Sequence, residues 1–264
     1  MDNKTPDFIK HLIALVIAMV VVHIAYLAVI RPVADAEIKA QLALQESGQT
    51  VVAERSLAVI LKDYEQEACF ILMFWAFSIM GLKALSIQRE RRSLSNRLIN
   101  TQEGMRILPN DSREYSRHIE NLSRDEKDCL LPRSLLTALH RFQSTHNIQD
   151  TATAIKETCE TEADRLDSEL SLVRYIAWAI PSIGFIGTVR GIGEALTQAH
   201  RAVEGDIAGV TASLGVAFNS TFTALLISIV VMFFVHQLQL AQEKLIIDTQ
   251  QYCDKNLLRF LQVS

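Results

Sequence analysis

The sequence predicts an all-α membrane protein with four transmembrane helices. Hydrophobic residues make up 49% of the 264-residue chain, and the mean hydropathy is +0.17. These residues are clustered in long runs, which is the pattern of membrane spans. With only 10 Gly and 5 Pro, the chain is unlike a β-rich or disordered protein. We expect long helical extensions into the cytoplasm and a periplasmic helical hairpin between the first two spans.

Four hydrophobic segments predict the four spans. The first contains about 19 uncharged residues, enough to cross a hydrocarbon core of ~30 Å. Its end lacks the small-residue pattern of a signal-peptide cleavage site, so we interpret it as an uncleaved crossing. The fourth is longer than a crossing requires and must tilt or project. The segments are Leu12 to Ile30, Ala68 to Leu82, Tyr175 to Val189 and Ile207 to Val235.

The basic residues predict the orientation. The strongest cluster follows the second span, and basic flanks of spans remain on the cytoplasmic side. Four crossings then place both termini in the cytoplasm. The cluster consists of Lys83, Arg89, Arg91, Arg92 and Arg97.

This topology divides the chain into four regions. A break at residues 46–49 predicts the turn of the outward hairpin, which covers residues 31–66. The regions are 1–86 with the first two spans, 87–172 in the cytoplasm, 173–235 with the third and fourth spans, and 236–264 as a cytoplasmic C-terminal helix.

The cytoplasmic region is predicted to be mostly helical. Pro132 is suited to open one helix, and Asp150 or Thr151 to cap the next one, which leads into the third span. Residues 108–128, rich in Ser, Asn, Arg and Asp, are predicted to form a loop.

Composition and spacing argue against several functional classes. A net charge of −4 gives no indication of a nucleic-acid partner. The four cysteines show no CxxC pair or metal-ligand spacing, so we expect separate thiols and no metal or cofactor. His140 and His146 have no matching carboxylates, and no cluster indicates an enzyme.

The third span carries small residues on one face. Gly184, Gly187 and Gly191 follow helical spacing, which predicts close backbone contact with another helix. Pro181 removes one hydrogen bond of the helix and predicts a kink.

The fourth span contains a polar patch at its middle. The hydroxyls in it either bond back to their own helix or face a polar path, whereas the amide of Asn219 needs a partner other than lipid. The patch consists of Asn219, Ser220, Thr221 and Thr223.

These residues resemble the MotA/TolQ/ExbB ion-channel family. The segment 181–192, PSIGFIGTVRGI, is similar to the family's motif, and 217–225, AFNSTFTAL, is similar to its second pore helix. The similarity extends over about residues 170–243.

The resemblance implies a pore-forming stator subunit of an ion-driven motor in the bacterial inner membrane. It implies a homopentamer around two copies of a MotB/TolR/ExbD-like single-span protein, whose membrane Asp carries the ion. Thr188 and Thr221 correspond to the family's pore threonines. With Asn219, Ser220 and Thr223 they are expected to line the pore, which transports protons or sodium ions.

The residues agree with the need for a partner. No Asp or Glu lies in the middle of any span, and hydroxyls alone do not hold a proton near neutral pH. His23, deep in the first span, is interpreted as a packing or interface residue. Arg190 lies near the outer end of the third span, where it reaches water, pairs with Glu194 or repels cations at the pore mouth.

The alternative hypothesis is a membrane sensory or scaffolding protein with a helical cytoplasmic region. Glycine-rich and hydroxyl-rich third and fourth spans have no role in such a protein. The process that the motor would drive is left open.

Overall fold

A computed structural model describes residues 7–46, 56–95, 98–99, 105–203, 205 and 207–263. Over these residues the chain is helical and contains no strand. Four helical stretches are long and apolar enough to cross a membrane, which confirms the predicted all-α, multi-pass membrane protein. These stretches are Ile9–Gln41, Tyr64–Ser95, Ile148–Thr197 and Ala208–Phe260.

The helices of the first 95 residues extend beyond the predicted spans. A π-helical turn joins the first two helices without a break. The predicted hairpin turn at 46–49 lies, from residue 47 onward, outside the described residues. The elements are α1 (Asp7–Ala25), the π-helical turn (Tyr26–Ile30), α2 (Arg31–Glu46), α3 (Leu57–Leu61) and α4 (Tyr64–Ser95).

The rest of the chain is also helical. The helix that contains the fourth predicted span continues well past Val235. The elements are α5 (Ser112–Glu120), α6 (Arg124–Lys127), α7 (Leu130–Thr145), α8 (Ile148–Glu169), α9 (Ser171–Thr197), α10 (Ala199–Val203), α11 (Ala208–Asn256) and a 3-10 turn (Leu258–Phe260).

Two local predictions for residues 87–172 were wrong. Residues 108–128 contain α5 and α6 rather than a continuous loop. The buried face of α5 consists of Ser112, Ser116 and Ile119, so two of its three positions are polar and no hydrophobic period indicates a helix.

The second wrong prediction is the cap of α8. The Asn147 side chain accepts hydrogen bonds from the amides of Gln149 at 2.8 Å and Asp150 at 3.4 Å. Asn147 therefore caps the helix, and Asp150 and Thr151 lie inside it. Asn is among the preferred N-cap residues because its carbonyl reaches the first free amides.

The chain forms two compact units, and each is described by itself. Unit 1 contains residues 1–80 and 172–235, and unit 2 contains residues 81–171 and 236–264. The predicted sides of the membrane for the four regions stay a prediction.

Unit 2 has a core of large apolar side chains. The core includes Leu135, Leu139 and Phe142 of α7, all fully buried, together with Cys159 of α8 and Cys253 of α11. Both thiols are free and pack as small hydrophobic groups.

Backbone hydrogen bonds join residues 260–262 to Ile107 within unit 2. The amide of Ile107 donates to the carbonyl of Phe260 at 2.8 Å, and the amide of Gln262 donates to the carbonyl of Ile107 at 3.0 Å.

Unit 1 leaves most of the first helix uncovered. Ala18, Val22 and Tyr26 form a buried stripe, whereas other Met, Val and Ile side chains between them are exposed. An apolar surface of this extent suits contact with lipid.

Candidate functional site

Two glycines of α9 bring its backbone against α11 of the same chain. A methyl group at Gly184 would collide with the Cβ atom of Ala224, and one at Gly187 would lie 2.5 Å from the Cβ atom of Ser220. Real side chains do not pack this closely. The two helices therefore approach each other through their backbones, as small residues allow in membrane proteins.

The facing surface of α11 also consists of small residues. Ser213, Ala217, Ser220 and Ala224 follow helical spacing and are buried. A methyl group at Gly191 would lie 2.8 Å from the backbone nitrogen of Ala217 and from the carbonyl oxygen of Ser213. The contact thus continues over about two turns of α9 and three turns of α11.

Thr188 and Thr221 meet at this contact. Their hydroxyls hydrogen-bond to each other. The Thr188 hydroxyl also lies 3.0 Å from the carbonyl oxygen of Ala217, and the Thr221 hydroxyl donates to the carbonyl of Gly184 at 3.1 Å. Each threonine therefore joins its own helix to the backbone of the other.

The hydrogen-bond inventory of the pair limits its chemistry. A hydroxyl has one hydrogen and two lone pairs. Each hydroxyl donates either to the other hydroxyl or to a carbonyl, that of Ala217 for Thr188 and that of Gly184 for Thr221. Each oxygen accepts at most one hydrogen bond within the pair, so at least one lone pair stays available on both oxygens. Both side chains are half-buried. The pair can accept a hydrogen bond or coordinate a cation, but it has no group that stores a proton near neutral pH.

The other polar residues of α11 differ in exposure. Ser220 is 1% exposed and Thr223 is 5% exposed, and the Ser220 hydroxyl bonds back to the carbonyl of Val216. Side chains so buried within one chain cannot also line a pore in this conformation. Asn219 is half-buried, and its side chain has no hydrogen bond within the described part of the chain.

Pro181 lies inside α9, which continues through it. Proline has no amide hydrogen, so the carbonyl four residues earlier, that of Ala177, loses its helical partner. The hydroxyl of Ser228 on α11 donates to this carbonyl at 3.1 Å. The thiol of Cys69 on α4 donates to the carbonyl of Ile180, beside the proline, at 3.6 Å. The neighbouring helix α11 therefore supplies a hydrogen bond in place of the one that proline removes.

Arg190 is held by two carboxylates. Its Nε atom lies 2.7 Å from Oε1 of Glu65, one of its terminal nitrogens lies 2.9 Å from Oε2 of the same residue, and the other lies 3.0 Å from Glu194. The bond to Glu65 is the bidentate geometry that arginine favours. Of the three roles expected for Arg190, the pairing with Glu194 is present, and Glu65 is a second partner.

Glu65 also contacts the glycine face. Its Cγ atom lies 3.1 Å from the place that a methyl group at Gly187 would take. The carboxylate is in the first turn of α4, where the helix dipole favours negative charge. Glu65 therefore joins α4 to α9 one residue from Thr188.

Asp63 precedes α4 and is near the same charges. One of its carboxylate oxygens is buried without a hydrogen-bond partner in the described residues. Burial raises the pKa of this carboxyl above its usual value, although Lys62 and Arg190 act in the opposite direction.

A second charged cluster lies around Glu67. Its side chain is 8% exposed. One carboxylate oxygen lies 2.6 Å from Nδ1 of His23, and the other pairs with Arg31. His23 was predicted to be a packing or interface residue, and its hydrogen bond to Glu67, at the start of the second span, was not predicted.

Glu65, Glu67 and Ser228 were not among the residues predicted from the sequence. A usable signal was present for the two carboxylates, since they begin the second span at the same predicted membrane boundary as Arg31 and Arg190. Ser228 falls one heptad after Thr221, on the side of α11 that faces α9.

Within the described residues, no group of three or more His, Cys, Asp or Glu side chains could hold a metal ion. The chemistry of the candidate site therefore consists of hydroxyl oxygens, backbone carbonyls and paired charges.

Comparison with protein families gave a match that covers these helices. The model of the MotA/TolQ/ExbB proton channel family matches residues 126–251. This range contains the glycine face and both threonines, and it begins well before the residues on which the resemblance was based. Searches of curated proteins and of solved structures gave no match. The chain is a multi-pass membrane protein, and its residues 126–251 match the model of the MotA/TolQ/ExbB proton channel family.

Proposed function

We propose that this chain is the pore-forming subunit of a proton-driven motor complex in the bacterial inner membrane. The observation that carries the proposal is the Thr188–Thr221 pair. It joins two spans of the family region, keeps lone pairs available and lies on a contact made of small residues. In such a complex five copies of the chain surround a pore, and α9 and α11 form its wall.

The proton carrier would come from a partner. Threonine hydroxyls accept a hydrogen bond from a protonated carboxylic acid but do not hold the proton themselves. A MotB/TolR/ExbD-like protein with one span and a membrane Asp, present in two copies, supplies this acid. Proton flow along Thr188, Thr221 and Asn219 then turns the pentamer around the partner and performs work. Ser220 and Thr223 contribute to packing within the subunit.

The charges at one end of α9 fit the mouth of this pore. Arg190 is neutralised by Glu65 and Glu194, so it presents no isolated positive charge to an entering proton. With both termini in the cytoplasm, this end faces the outside, from which protons enter.

The proposal is tested by replacing Thr221 with Val in the complex purified with its single-span partner. Valine has the same shape but no lone pair. We expect loss of proton flux into liposomes that carry a potassium diffusion potential, measured with a pH-sensitive dye, while the pentamer is preserved on size-exclusion chromatography with light scattering.

Thr211→Val is the matched control, because Thr211 is an exposed threonine of the same helix whose hydroxyl bonds back to the Ile207 carbonyl. It should retain the flux. Full flux in Thr221→Val would contradict the role of this hydroxyl. Flux that follows a sodium gradient and not a proton gradient would reassign the ion. A monomeric chain without flux would favour a sensory or scaffolding protein.

A further inference from the structure

A basic groove in unit 2 has no part in the proposed proton path. It lies between the end of α4 and the end of α11 and has a volume of about 500 Å³, whereas a water molecule occupies roughly 30 Å³. Its cationic side chains are Arg91, Lys244 and Lys255, and all three are exposed. Among the described residues that line it, Asp248 supplies the one carboxylate. The basic groove therefore carries an excess of positive charge.

The three cations of the basic groove have no counter-charge of their own. Nearby cations of the same helix or of the following turn are paired, Arg89 with Asp125 and Arg259 with Asp254. Within the described residues, none of the three groove cations forms an ion pair. Their charge is thus available to a group from outside the chain.

The face of α11 that borders the basic groove also exposes apolar side chains. Lys244, Gln251 and Lys255 follow helical spacing and fall within an arc of about 40°. Leu240 and Ile247 lie beside this arc and are 45% and 52% exposed. Ile247 is about 18 Å past the end of the predicted span, which is beyond the headgroup layer, so lipid does not explain its exposure. Apolar side chains bordered by charged ones are typical of a protein interface.

A surface of opposite charge lies on α8 of the same unit. Glu157, Glu160 and Asp164, here called the acidic stripe, are exposed and fall within an arc of about 60°. They point away from the buried side of α8, which includes Cys159 and Leu166. Glu160 pairs with a neighbouring lysine of α8, and the other two form no ion pair within the described part of the chain.

The basic groove and the acidic stripe suit each other in charge and length. Lys244 and Lys255 are about 16 Å apart along α11, and Glu157 and Asp164 are about 10 Å apart along α8. The two surfaces are different patches of one chain, so a contact between them in two copies is heterologous. A heterologous contact between identical subunits produces a ring when its rotation closes.

We propose that the acidic stripe of one copy binds in the basic groove of the next copy. Ion pairs then join neighbouring subunits outside the predicted spans, around the whole ring. The inference rests on the multi-copy assembly of the proposed function and names the surfaces through which unit 2 takes part in it. Complementary charges of this kind select the partner surface and the register of the contact.

Carbodiimide cross-linking tests the contact on the full-length chain, purified in detergent with its single-span partner. The reagent joins a lysine amine to a carboxylate that lies against it, so the unmodified protein is used. Linked peptides are identified separately in the monomer band and in the larger bands of a denaturing gel. We expect peptides that join Lys244 or Lys255 to the acidic stripe, and we expect them in the larger bands alone.

Charge reversal tests whether the contact supports assembly. Lys244→Glu combined with Lys255→Glu should remove the greater part of the assembled protein, measured by size-exclusion chromatography with light scattering. Adding Glu157→Lys and Asp164→Lys to the same chain exchanges the two charges and should restore assembly. A general effect of net charge would not be reversed in this specific way.

Arg113→Glu combined with Arg117→Glu is the matched control, because both are exposed cations of unit 2 on α5 and the change in net charge is the same. It should assemble like the unmodified chain. Equal assembly of the groove variant and the control would overturn the proposal. So would an intact assembly without the expected linked peptides, or groove lysines linked to a different protein.

The outcomes separate this inference from the proposed function. An unmodified chain that does not assemble with its partner contradicts the proposed function, and the inference with it. An assembly that conducts protons but lacks the links between groove and stripe contradicts the inference alone. If the charge-reversed chain does not fold, the cross-linking of the unmodified chain decides.

Discussion

The two units of the molecule hold their helices together by different means. In unit 2, α7 and α8 pack through large side chains such as Leu139 and Phe142, which are fully buried. In unit 1, α9 and α11 pack through glycine, alanine and serine, and hydroxyls such as those of Thr188 and Thr221 bond to carbonyls of the opposite helix.

The difference follows from the source of the free energy that stabilises each contact. Removing large apolar side chains from water is the main driving force of a core such as that of unit 2. Between membrane spans apolar burial gains little, because lipid is as apolar as the side chains, so close packing and hydrogen bonds decide. The two contacts should therefore respond to opposite changes: loss of volume in unit 2 and gain of volume in unit 1.

The largest effect is expected from Leu139→Ala in unit 2. Leu139 is fully buried in the core, and such a truncation lowers the free energy of unfolding by about 2–5 kcal/mol. Leu108→Ala, at a position of unit 2 that is 40% exposed, should have a much smaller effect. Thermal unfolding of both variants in detergent measures the difference. Equal losses would show that the unit 2 core does not depend on apolar volume.

The sequence predicted the parts of this comparison that depend on local patterns. Four long apolar runs predict four spans because each run is long enough to cross the hydrocarbon core by itself. The face of Gly184, Gly187 and Gly191 was also predictable, since small residues at helical spacing have few uses apart from close packing.

The partners across helices were not predictable in the same way. Glu65 and Arg190 are 125 residues apart. The residues around each of them do not indicate whether its side chain pairs with another charge or is solvated. His23 and Glu67 are 44 residues apart, and the sequence likewise did not indicate their contact. In unit 2, α5 was missed because serines make up most of its buried face.

The second-largest loss of stability is expected from Gly184→Ala in unit 1, which adds volume instead of removing it. The added methyl group meets Ala224, and overpacking of this kind lowers stability by about 1–3 kcal/mol. Gly193→Ala is the matched control on the same helix, because a methyl group there meets nothing within 4 Å. It should stabilise the helix by up to about 1 kcal/mol. Thermal unfolding in detergent compares the two.

A compensating change sharpens this test. Ala224→Gly in the Gly184→Ala background restores the space for one methyl group, so part of the lost stability should return. No recovery in the double variant would indicate that the loss comes from elsewhere than the contact of α9 with α11.

The smallest effect is expected from Ser228→Ala, which removes the donor to the carbonyl that Pro181 leaves free. Hydrogen bonds between membrane helices contribute about 0.6 kcal/mol on average and up to about 1.7 kcal/mol. We expect the upper part of this range, because the carbonyl of Ala177 has no helical donor. Ser182→Ala is the control, since the Ser182 hydroxyl bonds to Trp178 in its own helix, and it should change the unfolding free energy little.

The dependence on proline can be measured directly. With Pro181→Ala, position 181 regains an amide hydrogen that can donate to the Ala177 carbonyl, so removal of the Ser228 hydroxyl should then matter less. A double-mutant cycle of Pro181→Ala and Ser228→Ala, followed by thermal unfolding, gives the coupling energy. A coupling near zero would mean that Ser228 does not replace the missing bond. A clear coupling would mean that α11 supplies the hydrogen bond that allows proline in the middle of α9.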